Sequence, residues 1–196
     1  MSVTVVRSPS VSGDDGGWYP VWGVFNNSAT SQRIGVYSAS LYAAHVFFRF
    51  PTIGVPPGDT IESATLTLRN YSSPGGGPIT TKVYGNKVAN AVAPVSVVEA
   101  EALALTTKYT DFNLSVGSWA GYADKVITVT EIIQEIVNQP TWAINNAIML
   151  LVKNAGSVQG YELPQSMENV DPSHQAAILT ISYPTPPIIS KMYIVL

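Results

Sequence analysis

The stretch Val126 to Lys153 (VITVTEIIQEIVNQPTWAINNAIMLLVK) constrains the fold most, because it compresses a strand, one short helix, a turn and a second strand into a single run. Thr130 is placed to cap a helix whose Ile132, Ile133, Ile136 and Val137 share one face, and Asn138, Gln139 and Pro140 stop it. Trp142, just past the stop, is expected in the core beneath Ile132 and Ile136. A helix this short among β-rich neighbours is an embellishment on a sheet protein. The segment carries no catalytic signature.

Elsewhere the period is two. From Ile61 to Tyr71, Ala64, Leu66 and Leu68 point one way and Thr65, Thr67 and Arg69 the other, the pattern of a half-buried antiparallel strand. Ala44 to Phe50 (AHVFFRF) is aromatic and β-rich, and a Pro/Gly loop from Pro51 to Asp59 joins the two. Ser72 to Pro78 reads as a turn into a strand at Ile79 to Tyr84. Further strands are expected at Thr110–Val116, Lys125–Val129, Ala147–Val152, Val158–Leu163 and Ala177–Tyr183. With the first forty residues this gives eight to ten strands and predicts an all-β fold, a two-sheet antiparallel sandwich, jelly-roll-like, with one short helix. Ala89 to Thr107 is ambiguous, either a short helix around Val98 to Ala104 or a loop crossing the end of the sandwich.

Charged residues make up 12% of the chain, about half the usual roughly 25%. Interfaces are depleted in charge, so the deficit points to surface covered by partners. A net charge of −3 with ten scattered Lys and Arg argues against nucleic acid as a partner. The absence of cysteine excludes disulfides and thiolate metal sites. The amino terminus has no secretory-signal pattern, and no apolar run reaches the eighteen residues of a spanning helix, so no membrane partner is expected.

Two units are expected: a sandwich over residues 1–183 and a Pro-linked apolar tail over 184–196. After Pro184-Thr185-Pro186-Pro187 the run Ile188, Ile189, Ser190, Lys191, Met192, Tyr193, Ile194, Val195, Leu196 is almost uncharged and too short to span a bilayer. Left bare it would be an aggregation-prone edge, so it calls for cover from its own sandwich or from another subunit by strand addition.

Phe48-Arg49-Phe50 followed by Pro56 to Leu68 (PPGDTIESATLTL) resembles the opening pattern of DNRLRE-type modules. Val129 to Trp142 with Asn145 to Ile148 is similar to their second block, and Ala177 to Tyr183 to their closing strand. The pieces keep order and spacing over roughly Trp18 to Tyr183; Gly160 to Met167 departs from the family's aromatic strand, and the tail lies outside the module. The resemblance implies a carbohydrate-binding-module-like sandwich used without catalysis for attachment or assembly, of the kind found in phage virions. The start at Met1 favours a complete small protein over an enzyme appendage. The expected role is a decoration or cement protein on the exterior of a tailed-phage capsid, or a tail component. Its partners would be the major capsid protein or other virion subunits and further copies of itself, a trimer being one open arrangement. The alternative is an adhesion module that binds glycans.

Candidate sites follow from chemistry. Trp18, Tyr19 and Trp22 form one aromatic cluster and Trp119 with Tyr122 another; each is read as core or interface first and as a sugar platform second. Asp14-Asp15-Gly16-Gly17 is read as a surface turn, with calcium as the sharper alternative. Two histidines, His45 and His174, do not suffice for zinc, and no metal or cofactor is expected. Sugar hydrolysis needs two facing carboxylates. Glu99, Glu101, Glu131, Glu135, Glu162 and Glu168 show no pairing by spacing, so catalysis is not expected.

Overall fold

The computed structural model describes residues 1–37, 42–71, 78–157, 160–169 and 174–185. Among them the order is β1 (Ser2–Arg7), β2 (Asp15–Tyr19), β3 (Val24–Asn26), β4 (Ile34–Tyr37), β5 (Tyr42–Phe50), β6 (Ser63–Arg69), β7 (Ile79–Asn86), α1 (Val97–Glu101), β8 (Leu105–Leu114), β9 (Asp124–Thr128), α2 (Thr130–Val137), β10 (Ile148–Asn154), β11 (Gly160–Glu162) and β12 (Ile178–Pro184). One antiparallel sheet has the order β1-β12-β6-β9 and the other β11-β4-β5-β10-β7-β8, with β2 beside β5 and β3 beside β2. Setting β1-β12-β6-β9 against β5-β10-β7-β8 gives the strand order of a jelly roll. The protein is an all-β sandwich.

The alternation along β6 works as its sequence implies: Ala64, Leu66 and Leu68 are buried while Thr65, Thr67 and Arg69 are half-buried on the other face. The middle strands behave differently. On β5 and β10, Val46, Phe48, Phe50, Ile148, Leu150 and Val152 fill the space between the sheets, and Phe47, Met149 and Leu151 belong to a second apolar cluster with Trp18, Ala91 and Ala100. Both faces are covered, which is why AHVFFRF and AIMLLV are almost continuously apolar. The outer cover comes from β2, β3, α1 and the chain leading to α1.

Gly16 lets β2 pack that closely. A Cβ there would lie 2.8 Å from the Phe47 ring and 2.9 Å from the Asn26 carbonyl. Asp14 and Asp15 are buried with it, so the expected surface turn is instead a packed strand start.

Several local expectations need correction. Among the described residues there are two helices, not one. The ambiguous segment forms α1, earlier than Val98 to Ala104, because Ser96 caps it: its hydroxyl accepts from the Glu99 amide at 3.2 Å, and Glu99 Oε2 accepts from the Val95 amide at 3.0 Å. Leu105 then opens β8, five residues ahead of the expected start at Thr110. Thr130 does not cap α2; Val129 holds that position, and the Thr130 hydroxyl accepts the Ala64 amide at 2.9 Å, tying helix to β6. The Trp142 indole donates to the Val55 carbonyl at 3.0 Å, within the inter-sheet core that also holds Ile132 and Ile136. β12 continues one residue beyond Tyr183: Pro184 pairs with Ser2, and the Thr185 amide donates to the Met1 carbonyl at 2.8 Å. The tail residues Ile188, Ile189, Met192, Tyr193, Ile194, Val195 and Leu196 lie outside the described residues.

Candidate functional site

The two aromatic clusters occupy different layers. Trp18 sits in the outer cluster, fully enclosed, with its ring centroid 5.1 Å from that of His45. Its indole N–H donates to Glu101 Oε1 at 2.5 Å, and Lys153 Nζ reaches the same oxygen at 3.5 Å while lying 5.6 Å from the indole centroid. His45 Nδ1 accepts the Asn154 amide at 3.0 Å, which fixes a neutral ring. Burial, reinforced by the Lys153 charge and opposed by Glu101, pushes the imidazole down to about 4. Burial alone would raise the Glu101 carboxyl; the Trp18 N–H and Lys153 outweigh it and leave it below the usual range. Glu101 thus links Trp18 and Lys153 at the end of α1, its own side chain 42% exposed.

Tyr19 and Trp22 are the reachable part of the first cluster. They pack at 5.5 Å between centroids, and the Tyr19 hydroxyl accepts from Arg33 Nη1 at 3.2 Å. Trp22 is 43% exposed at the tip of the β2–β3 turn, between exposed Val21 and Val24.

Trp119 belongs to the inter-sheet core, edge-on to Phe112 at 5.8 Å, and its N–H donates to the Ala123 carbonyl at 2.8 Å. Tyr122 is exposed at φ 61°, in the turn that the buried Asn70 secures. The Asn70 side-chain nitrogen donates to the Trp119 carbonyl at 2.9 Å and to Glu162 Oε2 at 3.0 Å, while the Asn70 backbone carbonyl accepts the Tyr122 amide at 2.9 Å. Burial raises the Glu162 carboxyl, and the Asn70 bond opposes that rise.

An aromatic pair outside both clusters stands on the outer face of the large sheet. Tyr84 and Tyr109 are opposite one another on β7 and β8, 5.5 Å between centroids, with Lys82 Nζ 3.8 Å from the Tyr109 centroid and Asp111 opposite Lys82. Tyr109 is exposed. The alternation Lys82, Tyr84 and Tyr109, Asp111 in two paired strands was the available signal, hidden because β8 starts earlier than its sequence suggests.

Several of the carboxylates have firm partners. Asp14 Oδ1 meets Arg49 Nη1 at 2.6 Å, and its Oδ2 accepts from the Ser10 and Val11 amides at 3.0 and 3.3 Å. Asp15 Oδ2 accepts the Met167 amide at 2.8 Å, and its carboxyl meets that of Glu168. Asp15 is fully buried, and the carboxylate oxygens of Glu168 are enclosed as well. Glu131 is an exposed partner of Lys108 at 3.8 Å. Glu135 borders a cleft of about 400 Å3 lined by Lys87, Thr107, Lys108, Glu131, Gln134 and Asn138. Its carboxylate accepts from the Thr107 and Lys108 amides, the Thr107 hydroxyl and Lys87 Nζ, all at 2.9 to 3.0 Å. Burial would raise it, yet those bonds together take it down to about 2. The cleft is therefore walled by groups that strap α2 to β8.

His174 and His45 serve separate contacts, His174 Nε2 lying 2.8 Å from the Ser166 carbonyl. Among the described residues no group of three or more His, Asp or Glu is arranged to hold a metal ion, and no helix is long and apolar enough to cross a membrane. Comparison with family models gives no match, and neither does comparison with curated proteins.

Proposed function

We propose that the chain is a non-enzymatic structural protein of a tailed-phage virion, acting as a decoration or cement subunit of the capsid exterior or as a tail component. The observation that carries this reading is an apolar ridge on α1 and its approach, where Val92, Val95 and Val98 are 75%, 71% and 80% exposed. Free surfaces are ordinarily charged and mixed, and this chain has 12% charged residues. Covering three such valines contributes on the order of 3 to 6 kcal/mol before the cost of association. The burial of Asp15 and the saturation of Glu135 by four donors support a protein that acts by contact area. The run Ile188 to Leu196 would serve as a tether that raises the local concentration of these contacts. To test this, particles are purified with protein carrying Val95→Asp and Val98→Asp, and separately with a chain ended at Thr185. Both should keep the far-ultraviolet circular dichroism of the wild type and be depleted from particles. Wild-type occupancy by both would sink the reading.

A glycan-binding role is the second reading, favoured by the open Tyr84–Tyr109 pair beside Lys82 and Asp111. Aromatic faces stack on sugar rings while flanking polar groups fix their orientation. It calls for saturable binding that Tyr109→Ala abolishes; a glycan panel with no ligand at millimolar concentration would remove it.

A further inference from the structure

Charge is absent from two long stretches of this chain. Gly16 to Gln32 and Val88 to Val98, seventeen and eleven residues, contain no Lys, Arg, Asp, Glu or His. The fold lays both on the outer face of the large sheet. Phe25 of β3 stacks on Phe47 at 6.1 Å, and Phe25, Ala93 and Val97 pack against the same cluster of Trp18, Phe47 and Ala100. Because their inward sides meet in one cluster, their outward sides share one surface. On β3 the half-buried Phe25 lies between exposed Val24 and Asn26, and on α1 the inward Val97 and Ala100 leave Val98 outward. Val21, Trp22, Val24, Val92, Val95 and Val98 are the exposed apolar side chains of this surface. We infer that this uncharged outer cover is a self-complementary face that binds a second copy of this chain about a two-fold axis.

Charge, area and shape favour a copy as the occupant. A charged partner would bury its charges against valine and tryptophan with no opposite charge to pair them. A copy of the same face brings none, and about a two-fold axis the patch meets itself. Charges return at the borders, with Arg33 after Gln32, Lys87 before Val88 and Glu99 after Val98, as befits a polar rim. Thirteen residues of the first stretch and nine of the second reach solvent, which together falls within the about 20 to 30 a side of a stable interface. The hairpin tip is already ordered: the Trp22 amide donates to the Tyr19 carbonyl at 3.1 Å, the Gly23 amide to the Pro20 carbonyl at 3.3 Å, and the Tyr19 and Trp22 rings pack together. An aromatic anchor is thus in place before contact. The inference rests on the contact-area reading above and adds the partner; with the tail as tether, the pair is measured in the full chain.

The test is sedimentation velocity over a dilution series for full-length wild type, Trp22→Asp, Val95→Asp and Val126→Asp, Val126 being an exposed valine on β9 of the other sheet. Wild type should form a dimer. Trp22→Asp and Val95→Asp should each raise its dissociation constant at least about tenfold with an unchanged circular dichroism spectrum, and Val126→Asp should leave it as it is. If one face variant loses the wild-type spectrum, the other decides. A monomeric wild type, unchanged association in the folded face variants, or equal weakening by Val126→Asp would overturn the second-copy face. Face variants that stay dimeric yet are depleted from particles would overturn it and leave the contact-area reading standing, the face then meeting a different virion protein. Variants that become monomeric yet keep full occupancy would uphold it and sink that reading.

Discussion

Glu135→Gln probes the strap between α2 and β8. Burial opposes ionisation of Glu135, but two backbone amides, the Thr107 hydroxyl and Lys87 more than compensate, and the carboxyl moves from 4.5 to about 2. Because the folded value lies below the unfolded one, the stabilisation is complete above about pH 4.5 and is lost as pH falls through 2. A displacement of about 2.5 units corresponds to about 3 kcal/mol at pH 7, and at pH 3 the same relation leaves a little under half. The glutamine also turns an NH2 group toward donors at Thr107 and Lys108, a penalty that does not depend on pH. Urea unfolding of wild type and variant at pH 7 and pH 3 separates the two parts. The gap between them should narrow by about 1.5 to 2 kcal/mol on acidification. A gap that is the same at both pH values, or below about 0.5 kcal/mol at pH 7, refutes the argument.

Gly85→Ala would place a Cβ 2.6 Å from Ile136 Cδ1, 2.8 Å from Ile132 Cγ2 and 3.1 Å from Thr106 Cγ2. Overpacking of this kind should cost about 1 to 3 kcal/mol in thermal or urea unfolding. Adding Ile136→Val, which removes the nearest methyl, should recover part of the loss, and strict additivity would show that the contact is not the cause. For pH, His45 and Asp15 act in opposite senses. The histidine sits below its ordinary 6.5 at about 4, so its contribution is lost as pH falls through that window; the Asp15 carboxyl is raised, so its contribution is lost as pH rises toward about 7. Stability of His45→Gln should therefore decline with pH between 4 and 6.5 while that of Asp15→Asn climbs; parallel profiles would remove this assignment.

What the sequence made legible tracks how local the cause is. β6 was visible because one face is buried and the other is not, so period two survives in Ala64, Leu66 and Leu68. Strands β5 and β10 could be placed but not oriented, since cover on both faces erases alternation. That cover comes from the stretch around α1, whose signal lay in Ser96 and Glu99, a serine followed three residues later by a glutamate. Trp18 and Trp22 read alike in sequence, yet one is sealed by Glu101 and the other caps a turn tip. The pairs Asp14–Arg49, Asp15–Glu168 and Asn70–Glu162 join distant strands and loops, and no spacing rule reaches across a jelly roll's crossovers. Asp14-Asp15-Gly16-Gly17 read as a surface turn, whereas both aspartates are buried and Gly16 admits the Phe47 ring.

The most direct test of an assembly role is solution mass by light scattering for the full chain and for a chain ended at Thr185. The account predicts a defined oligomer for the full chain and monomers of unchanged fold for the shortened one. Monomers in both cases would contradict a tail that joins copies of this protein.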